Sequence, residues 1–357
     1  MNKTYLITLT PMGKFFFGGD MTFTVNGKET DFTSYIIRSN KFPQQTSLLG
    51  MLRFLILRND SNFFDTSSQS ITDRISAAKL IGEKSFEALD KNGSFGVIRS
   101  LSPCFVQANT ENGWKDLSLN PKGKQFQVDF SKTTKAMLNG VGIEIPETDY
   151  DPKKYYELAY VFNGCDKPIK ESEIFKEDIS NGINRDIYTG KTDDNALFKQ
   201  ISYRMSEGFR FAFYAEVDLD KIVEYNGQVV SVGADNSQFV IGISECEQQK
   251  EEETKGNVVT LLSPAYLTKE DLSSVRFAIT DIIPFRCIKT KTKDVESYNK
   301  RNQMNDFSEK LTLYATGSVF YFTSESDAST FVNNLKAHAD FYQIGYNHYH
   351  ITNLTTK

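Results

Sequence analysis

Phe209-Arg210-Phe211-Ala212-Phe213-Tyr214-Ala215-Glu216-Val217-Asp218 is the stretch on which the fold turns. Phe209, Phe211, Phe213, Ala215 and Val217 recur at every second residue, the period of a strand that sends alternate side chains to opposite faces. One face can be buried and the other left open, so a core strand in a sheet is expected. Tyr5, Ile7 and Leu9 repeat the pattern near the amino terminus. The 357 residues include 28 Phe and 17 Tyr beside one Trp, and such rings favour half-buried sheet surfaces.

Helices interrupt these strands. Pro43 favours an extended entry, Thr46 or Ser47 can cap free amides, and Leu48, Leu52, Leu55 and Ile56 follow helical spacing. A second helix is expected at 75–89, and a third at 327–337 with Ala328, Phe331, Val332 and Leu335 on one side. Residues 228–232 and 238–243 read as a hairpin around the turn 233–237. More strands are expected at 258–262, 275–281, 312–322 and 343–351, with a protruding hairpin at 125–145 turning around Lys132–Lys135. Strand, helix, strand in each half gives an α+β protein of two related domains with antiparallel sheets. The expected division is 1–205, with an insertion at about 61–180, and 206–357.

Composition narrows the function. Against 46 Asp plus Glu there are 41 Lys plus Arg, a net charge of −5, which excludes a globally basic nucleic-acid binder. The block 245–253 is acidic and reads as a solvated loop, while Lys289, Lys291 and Lys293 open a basic stretch that ends near Arg301. Cys104, Cys165, Cys246 and Cys287 stand far apart and read as small buried hydrophobes, and only three His exist, so neither a zinc site nor a disulfide framework is expected. No run approaches the roughly 18 apolar residues of a membrane helix, and residues 1–11 lack the features of a secretion signal. A reducing cytoplasm is the expected compartment.

Neither a metal nor a cofactor is expected, because no P-loop, dinucleotide fingerprint, nucleophile elbow or kinase motif occurs. His348 and His350 would share a strand face, with His338 upstream; they could exchange protons, hold a metal with a carboxylate, or simply lie at the surface. Phe15-Phe16-Phe17 could pack a core or stack on bases. Gln44-Gln45-Thr46-Ser47 places free amides and hydroxyls at a helix start, with Arg53 two turns on, where an anion could sit. Residues 181–198 read as a turn-rich linker supplying Asn184, Arg185 and Lys191, followed by Arg204, groups suited to phosphate and base edges.

In order, the chain carries Pro-Gln-Gln-Thr-Ser-Leu-Leu-Gly-Met-Leu-Arg (43–53), Gly-Ile-Asn-Arg-Asp with a downstream Asn-Ala-Leu-Phe (182–198) and Val-Gly-Ala-Asp-Asn (232–236). Leu-Leu-Ser-Pro-Ala-Tyr-Leu (261–267), Ala-Thr-Gly-Ser-Val-Phe (315–320) and Gln-Ile-Gly-Tyr-Asn-His-Tyr (343–349) follow. Over nearly its whole length the chain resembles the third-subunit family of the Cmr, or type III-B, CRISPR effector complexes, in the Cas-five-like group of the RAMP superfamily.

The resemblance implies two RRM-like, ferredoxin-type RAMP domains, with a thumb-like hairpin emerging from the first. It implies a non-catalytic subunit that holds the repeat-derived 5′ tag of the crRNA beside the large Cas ten subunit and the backbone RAMP subunits. Carried over residue by residue, it points to Gln45, Thr46, Ser47, Gly50 and Arg53, to Gly182, Ile183, Asn184 and Arg185, and to Gly317, Ser318, Gly345 and Asn347. Lys191 and Arg204 complete the expected RNA-binding set. Many members have a glycine-rich, Arg-ending turn where this chain has Gly233-Ala234-Asp235-Asn236-Ser237, so no RNA contact is carried to that hairpin. Two alternatives share the fold: a RAMP endoribonuclease processing precursor crRNA through His348 or His338 with Tyr346, and the equivalent subunit of a type III-A or type I complex.

Overall fold

The computed structural model describes residues 3–19, 21–25, 32–68, 70–89, 93–120, 126–138, 141–162, 167–185, 188–247, 255–287 and 309–354. The chain opens with β1 (Lys3–Pro11), β2 (Met21–Val25), β3 (Phe32–Arg38) and α1 (Gln45–Arg58). A short pair, β4 (Phe64–Asp65) and β5 (Ser70–Ile71), leads to α2 (Arg74–Ile81). Next come β6 (Ile98–Leu101), β7 (Phe105–Thr110), β8 (Gly113–Asn120), β9 (Val128–Leu138), β10 (Val141–Thr148), β11 (Ala159–Val161), β12 (Ile169–Lys170) and the one-turn α3 (Glu171–Ile174). The middle of the chain holds β13 (Phe175–Arg185), β14 (Thr192–Met205), β15 (Phe209–Val217), β16 (Val229–Ser231) and β17 (Gln238–Cys246). Last are β18 (Val258–Leu261), β19 (Phe277–Ile279), β20 (Ile282–Phe285), β21 (Leu311–Tyr314), β22 (Val319–Tyr321), α4 (Glu325–Ala337), α5 (Ala339–Gln343) and β23 (Tyr349–Thr352).

The largest sheet runs β12-β11-β8-β7-β15-β1-β17-β16, with β6 also on β15. Its alternation is the one the sequence shows: Tyr5, Ile7, Phe211 and Phe213 are fully buried on one face, where Leu48, Leu52, Leu55 and Ile56 of α1 pack. Phe15, Phe17, Phe175, Phe211 and Phe239 fill this core, with neighbouring ring centroids 4.7–6.4 Å apart. Burying each such ring stabilises by about 1.5–3 kcal/mol, so the Phe15–Phe17 tract serves packing. Phe16 is also buried, its amide donating to Ser237 Oγ at 2.9 Å and its carbonyl accepting from the Ala234 amide at 2.8 Å.

The second sheet, β19-β22-β18-β23, is antiparallel throughout and carries α4. Ser324 caps α4, its Oγ accepting from the Asp327 amide at 3.1 Å, and Ala328, Phe331, Val332 and Leu335 are buried against Val259, Leu261, Phe320 and Phe322. The two sheets share an order. In each set (β1, β7, β15, β17 and β18, β19, β22, β23) the first strand pairs with the third and fourth, and the second lies beyond the third.

Several expectations need correction. A boundary at 205 would cut through the first sheet, because β1 is paired on one side by β15 and on the other by β17; that sheet runs on to Cys246. The turn-rich linker of 181–198 is instead the long hairpin β13–β14, in a third sheet β13-β14-β3-β2 where β14 and β3 are parallel. The helix expected at 75–89 stops at Ile81, because Gly82 takes φ 85° and its Cβ position would fall 2.1 Å from the Ser94 carbonyl oxygen. A single strand at 312–322 is broken by Gly317 at φ 81°, which sends β21 to β20 and β22 to the second sheet. Of 343–351 only the end is strand, since α5 ends at Gln343 and a turn through 344–348 follows it. The hairpin near 125–145 exists as β9–β10, but Leu138 opposes Val141, so Lys132–Lys135 lie within β9 and the chain reverses later.

Among the cysteines, Cys287 is buried and Cys104 and Cys246 are half-buried, all three unbridged. Cys165, the acidic residues 248–253, and Lys289, Lys291, Lys293 and Arg301 lie outside the described residues. No helix among the described residues is long and apolar enough to cross a membrane.

Candidate functional site

A cleft of about 2380 Å³ opens between the first sheet and the carboxyl-terminal elements. Its floor is the sheet face opposite the core. Since Ala212 opposes Phe105, Arg210 opposes Gln107, Gln107 opposes Asp116 and Asn109 opposes Trp114, the strand period sends Phe105, Gln107, Trp114, Asp116, Arg210 and Tyr214 away from Phe211 and Phe213, and of these Phe105, Trp114, Asp116 and Tyr214 line the cleft. One wall is 38–45, with Arg38, Lys41 and Gln44; another carries Tyr155, Tyr160 and Lys176; the last comes from Tyr342, Tyr346 and His348.

The wall cations are held in place by neighbours. Arg38 pairs with Glu177 and donates to Tyr203 Oη at 3.3 Å, and the Tyr203 hydroxyl and then Glu177 raise its pKa. Lys41 pairs with the buried carboxylate of Glu171, and Lys176 Nζ donates to the Ser172 carbonyl at 2.6 Å. Arg38 and Lys176 remain accessible and line the cleft, together with the Glu177 carboxylate that pairs with Arg38. Sequence reading missed these residues, and it missed Trp114 and Tyr155, which expose 38% and 82% of their surface. The one available signal was that large rings standing in polar segments have nothing local to pack against.

Most carried-over residues are engaged within the chain. The α1 N-cap is Gln44, with no side-chain cap, and its carbonyl accepts from the Ser47 and Leu48 amides at 2.9 and 3.2 Å. Thr46 and Ser47 therefore sit in the first turn and do not cap it. Gln45 is 3% exposed and donates through Nε2 to the Ser102 and Ile344 carbonyls at 2.8 and 3.0 Å, tying the helix start to both halves of the molecule. The buried Tyr346 hydroxyl lies against the Thr46 side chain and the Gln45 and Thr46 amides without reaching hydrogen-bond geometry; burial raises its pKa and those contacts pull it down. Gly50 is exposed with open space around its Cβ position.

Arg53 closes the end of α2: Nε donates to the Ile81 carbonyl at 2.7 Å and Nη2 to the Gly82 carbonyl at 3.0 Å, while burial lowers its pKa. Arg53→Ala strips two carbonyls of charged donors and is expected to cost about 2–3 kcal/mol in urea unfolding. Arg53→Lys should fall between, because an ammonium cannot span both acceptors. An unaltered unfolding midpoint in Arg53→Ala would show that the contacts carry no weight.

The middle motif lies apart from the cleft. Gly182 faces the Phe198 ring so closely that a Cβ would stand 2.1 Å from it, and Phe198 in turn stacks on Tyr35 with centroids 5.5 Å apart. Ile183, Asn184 and Arg185 end β13, and their side chains lie outside the described residues. Lys191 is exposed between β13 and β14. Arg204 Nε donates to Asp178 Oδ2 at 2.7 Å; this contact lowers the Asp178 pKa, with Lys14 at 3.3 Å on the other oxygen. None of these residues lines the cleft.

The late motifs form tight turns. Ser318 is 1% exposed, and a Cβ on Gly317 would come within 2.8 Å of Leu158. Asn347, fully buried at φ 63°, accepts from the Tyr266 amide at 2.8 Å and donates to the Tyr266 and Leu335 carbonyls at 3.2 and 3.1 Å. His338 bonds Asp271 Oδ2 at 2.9 Å away from the cleft, while His348 lines it, stacked on Tyr342 with centroids 4.2 Å apart. Among the described residues no group of three or more His, Cys, Asp or Glu gathers to hold a metal.

Mixed α and β structure with mainly antiparallel sheets is also the fold of subunits in solved CRISPR effector complexes. The chain is similar to one in "Cryo-EM structure of the Type III-B Cmr-beta bound to cognate target RNA", with a TM-score of 0.53 and 15% identity, covering 98% of this chain and 96% of that one. A second, "Cryo-EM structure of the Type III-B Cmr-beta bound to cognate target RNA and AMPPnP, state 1", gives 0.51 and 15%, covering 96% and 95%. The family model CRISPR-associated protein (Cas_Cmr3) matches residues 158–354, more than half of the chain, and the chain belongs to that family. It is a subunit of the Cmr, type III-B, kind, as the ordered motifs lead one to expect. No curated protein gives a significant match.

Proposed function

We propose that this chain is a non-catalytic subunit of a cytoplasmic type III-B RNA-guided effector complex. In this reading it binds the 5′ tag of the crRNA and docks the large Cas ten subunit beside the backbone RAMP subunits. The observation that carries the reading is the cleft: about 2380 Å³, well above the roughly 1,000 Å³ that suits small ligands, lined by hydroxyls, amides and open aromatic rings, with Arg38, Lys41, Lys115 and Lys176 standing among the carboxylates of Asp116, Glu157, Glu177 and Glu216. That mixture fits a sugar-phosphate chain with unstacked bases. The similar solved complexes were determined with target RNA bound.

The shared strand order supports two RRM-like domains, divided between residues 246 and 258, with β9–β10 as the thumb-like hairpin. Gln45, Thr46, Ser47, Gly317, Ser318, Gly345 and Asn347 then shape the cleft from within, and Arg38, Gln44 and Lys176 meet the RNA. Gly50 and Arg53 on α1, Gly182 to Arg185, Lys191 and Arg204 belong to further contact regions along the same RNA or its protein neighbours.

Complexes reconstituted with Arg38→Ala and Lys176→Ala together should retain tagged crRNA about tenfold less well near 0.15 M salt, with a salt slope smaller by about 1 per lost phosphate contact. Unchanged retention would count against the cleft. His348 and Tyr346 both line the cleft, so the endoribonuclease reading is tested alongside it. Metal-free cleavage of repeat RNA by the purified chain, abolished by His348→Ala, would replace the non-catalytic reading.

A further inference from the structure

We infer that the cleft floor at Trp114 is a stacking site for one unpaired nucleobase of single-stranded RNA, an inference that rests on the cleft being the RNA-binding site. The geometry is built across three strands. Arg210 Cζ lies 3.9 Å from the Trp114 ring centroid, so the guanidinium covers the indole. Arg210 Nε donates to Gln107 Oε1 at 2.8 Å, and Gln107 Nε2 donates to Asp116 Oδ1 at 2.7 Å. Tyr214 Oη donates to Asp116 Oδ2 at 2.7 Å, and the Tyr214 ring packs on Phe105 with centroids 5.5 Å apart. A continuous relay thus holds Arg210, and with it Trp114, in one orientation.

Core packing does not require this arrangement. The indole stays 38% exposed and lines the cleft, while the core face of the same strands is closed by Phe211 and Phe213. An aromatic ring fixed before binding loses little rotamer freedom when a flat partner arrives. The guanidinium covers the indole, and Asp116 at the other end of the relay offsets its charge, so what the site offers a strand is the flat exposed ring itself. Every base has a π-face, so the site selects for an unstacked base in a strand more than for base identity.

Trp114 is the one Trp of the chain, so its fluorescence reports this site alone. The full chain is titrated with a short single-stranded RNA carrying the guide tag, following Trp114 emission and, separately, the anisotropy of a labelled copy. Stacking should quench the emission in step with binding, and a scan of abasic positions should find one nucleotide whose base is needed for the quench. Trp114→Ala should weaken binding by roughly 5- to 150-fold, and Trp114→Phe, which keeps a ring in the strand, by less. RNA that binds by anisotropy while wild-type emission stays unmoved would overturn the stacking site and leave the cleft reading standing. Tagged RNA that binds neither the chain nor the reconstituted complex through it would overturn both.

Discussion

Lys41→Met is expected to destabilise the chain by about 3–5 kcal/mol, the cost of leaving a buried carboxylate without its cation. The Glu171 side chain is 7% exposed and that of Lys41 25%. Apart from Lys41, the Glu171 carboxylate accepts from Tyr160 Oη at 3.1 Å. Methionine keeps the unbranched stem of lysine and removes the charge, so packing changes little while Glu171 is stranded. Burial acts to lower the Lys41 pKa and the Glu171 charge more than offsets it, leaving the value above the ordinary 10.5. The sign follows from that direction: a raised lysine contributes stability in full below its unfolded value, and loses it only as pH climbs through the higher folded value. The deficit in Lys41→Met should therefore be the same at every pH across the neutral range. Adding Glu171→Gln removes the stranded charge and should restore most of the loss, since replacing both partners of a buried pair is often close to neutral. Urea unfolding of the single and double variants checks this; equal stability of wild type and Lys41→Met would mean that Glu171 is solvated.

Lys41 also shows what sequence can and cannot reveal. The strands of Tyr5–Leu9 and Phe209–Val217, and the helix face of Ala328, Phe331, Val332 and Leu335, were legible because each pattern is local and periodic, and each is buried as expected. Nothing local told Lys41 that its partner stands at Glu171, or β1 that it would take β17 as a neighbour beyond the expected domain boundary. Pairing across such distances is decided by the whole core. The motifs were legible as motifs, yet a short glycine or asparagine turn reads alike whether it faces a ligand or its own chain. Asn347 spends both ends of its amide inside the fold. The cleft floor escaped notice because Trp114, Arg210 and Tyr214 come together only through the register of β8, β7 and β15.

Gly345→Ala should cost about 3–5 kcal/mol and loosen the joint between the two halves. The residue holds φ 92°, where an L side chain pays about 1–2 kcal/mol. An added Cβ would lie 1.8 Å from Gln45 Nε2 and 2.5 Å from the Ser102 carbonyl oxygen. The Gln45 side chain can swing aside, but only by giving up its bonds to Ser102 and Ile344, which leaves buried polar groups unpaired at about 1–3 kcal/mol each. The backbone at Ser102 has no comparable freedom. Gly50→Ala is the internal control from the same set of carried-over residues. Gly50 lies inside α1 with nothing within 4 Å of its Cβ position, so alanine there should stabilise the isolated chain by about 0.8–1 kcal/mol. If Gly345 served only to let RNA approach, its change would not move the melting of the RNA-free chain. Opposite shifts in thermal unfolding, down at Gly345 and up at Gly50, would assign the first to holding α1 against the carboxyl-terminal turn. The exposed Gly50 face would then be the part of the motif left free for a partner.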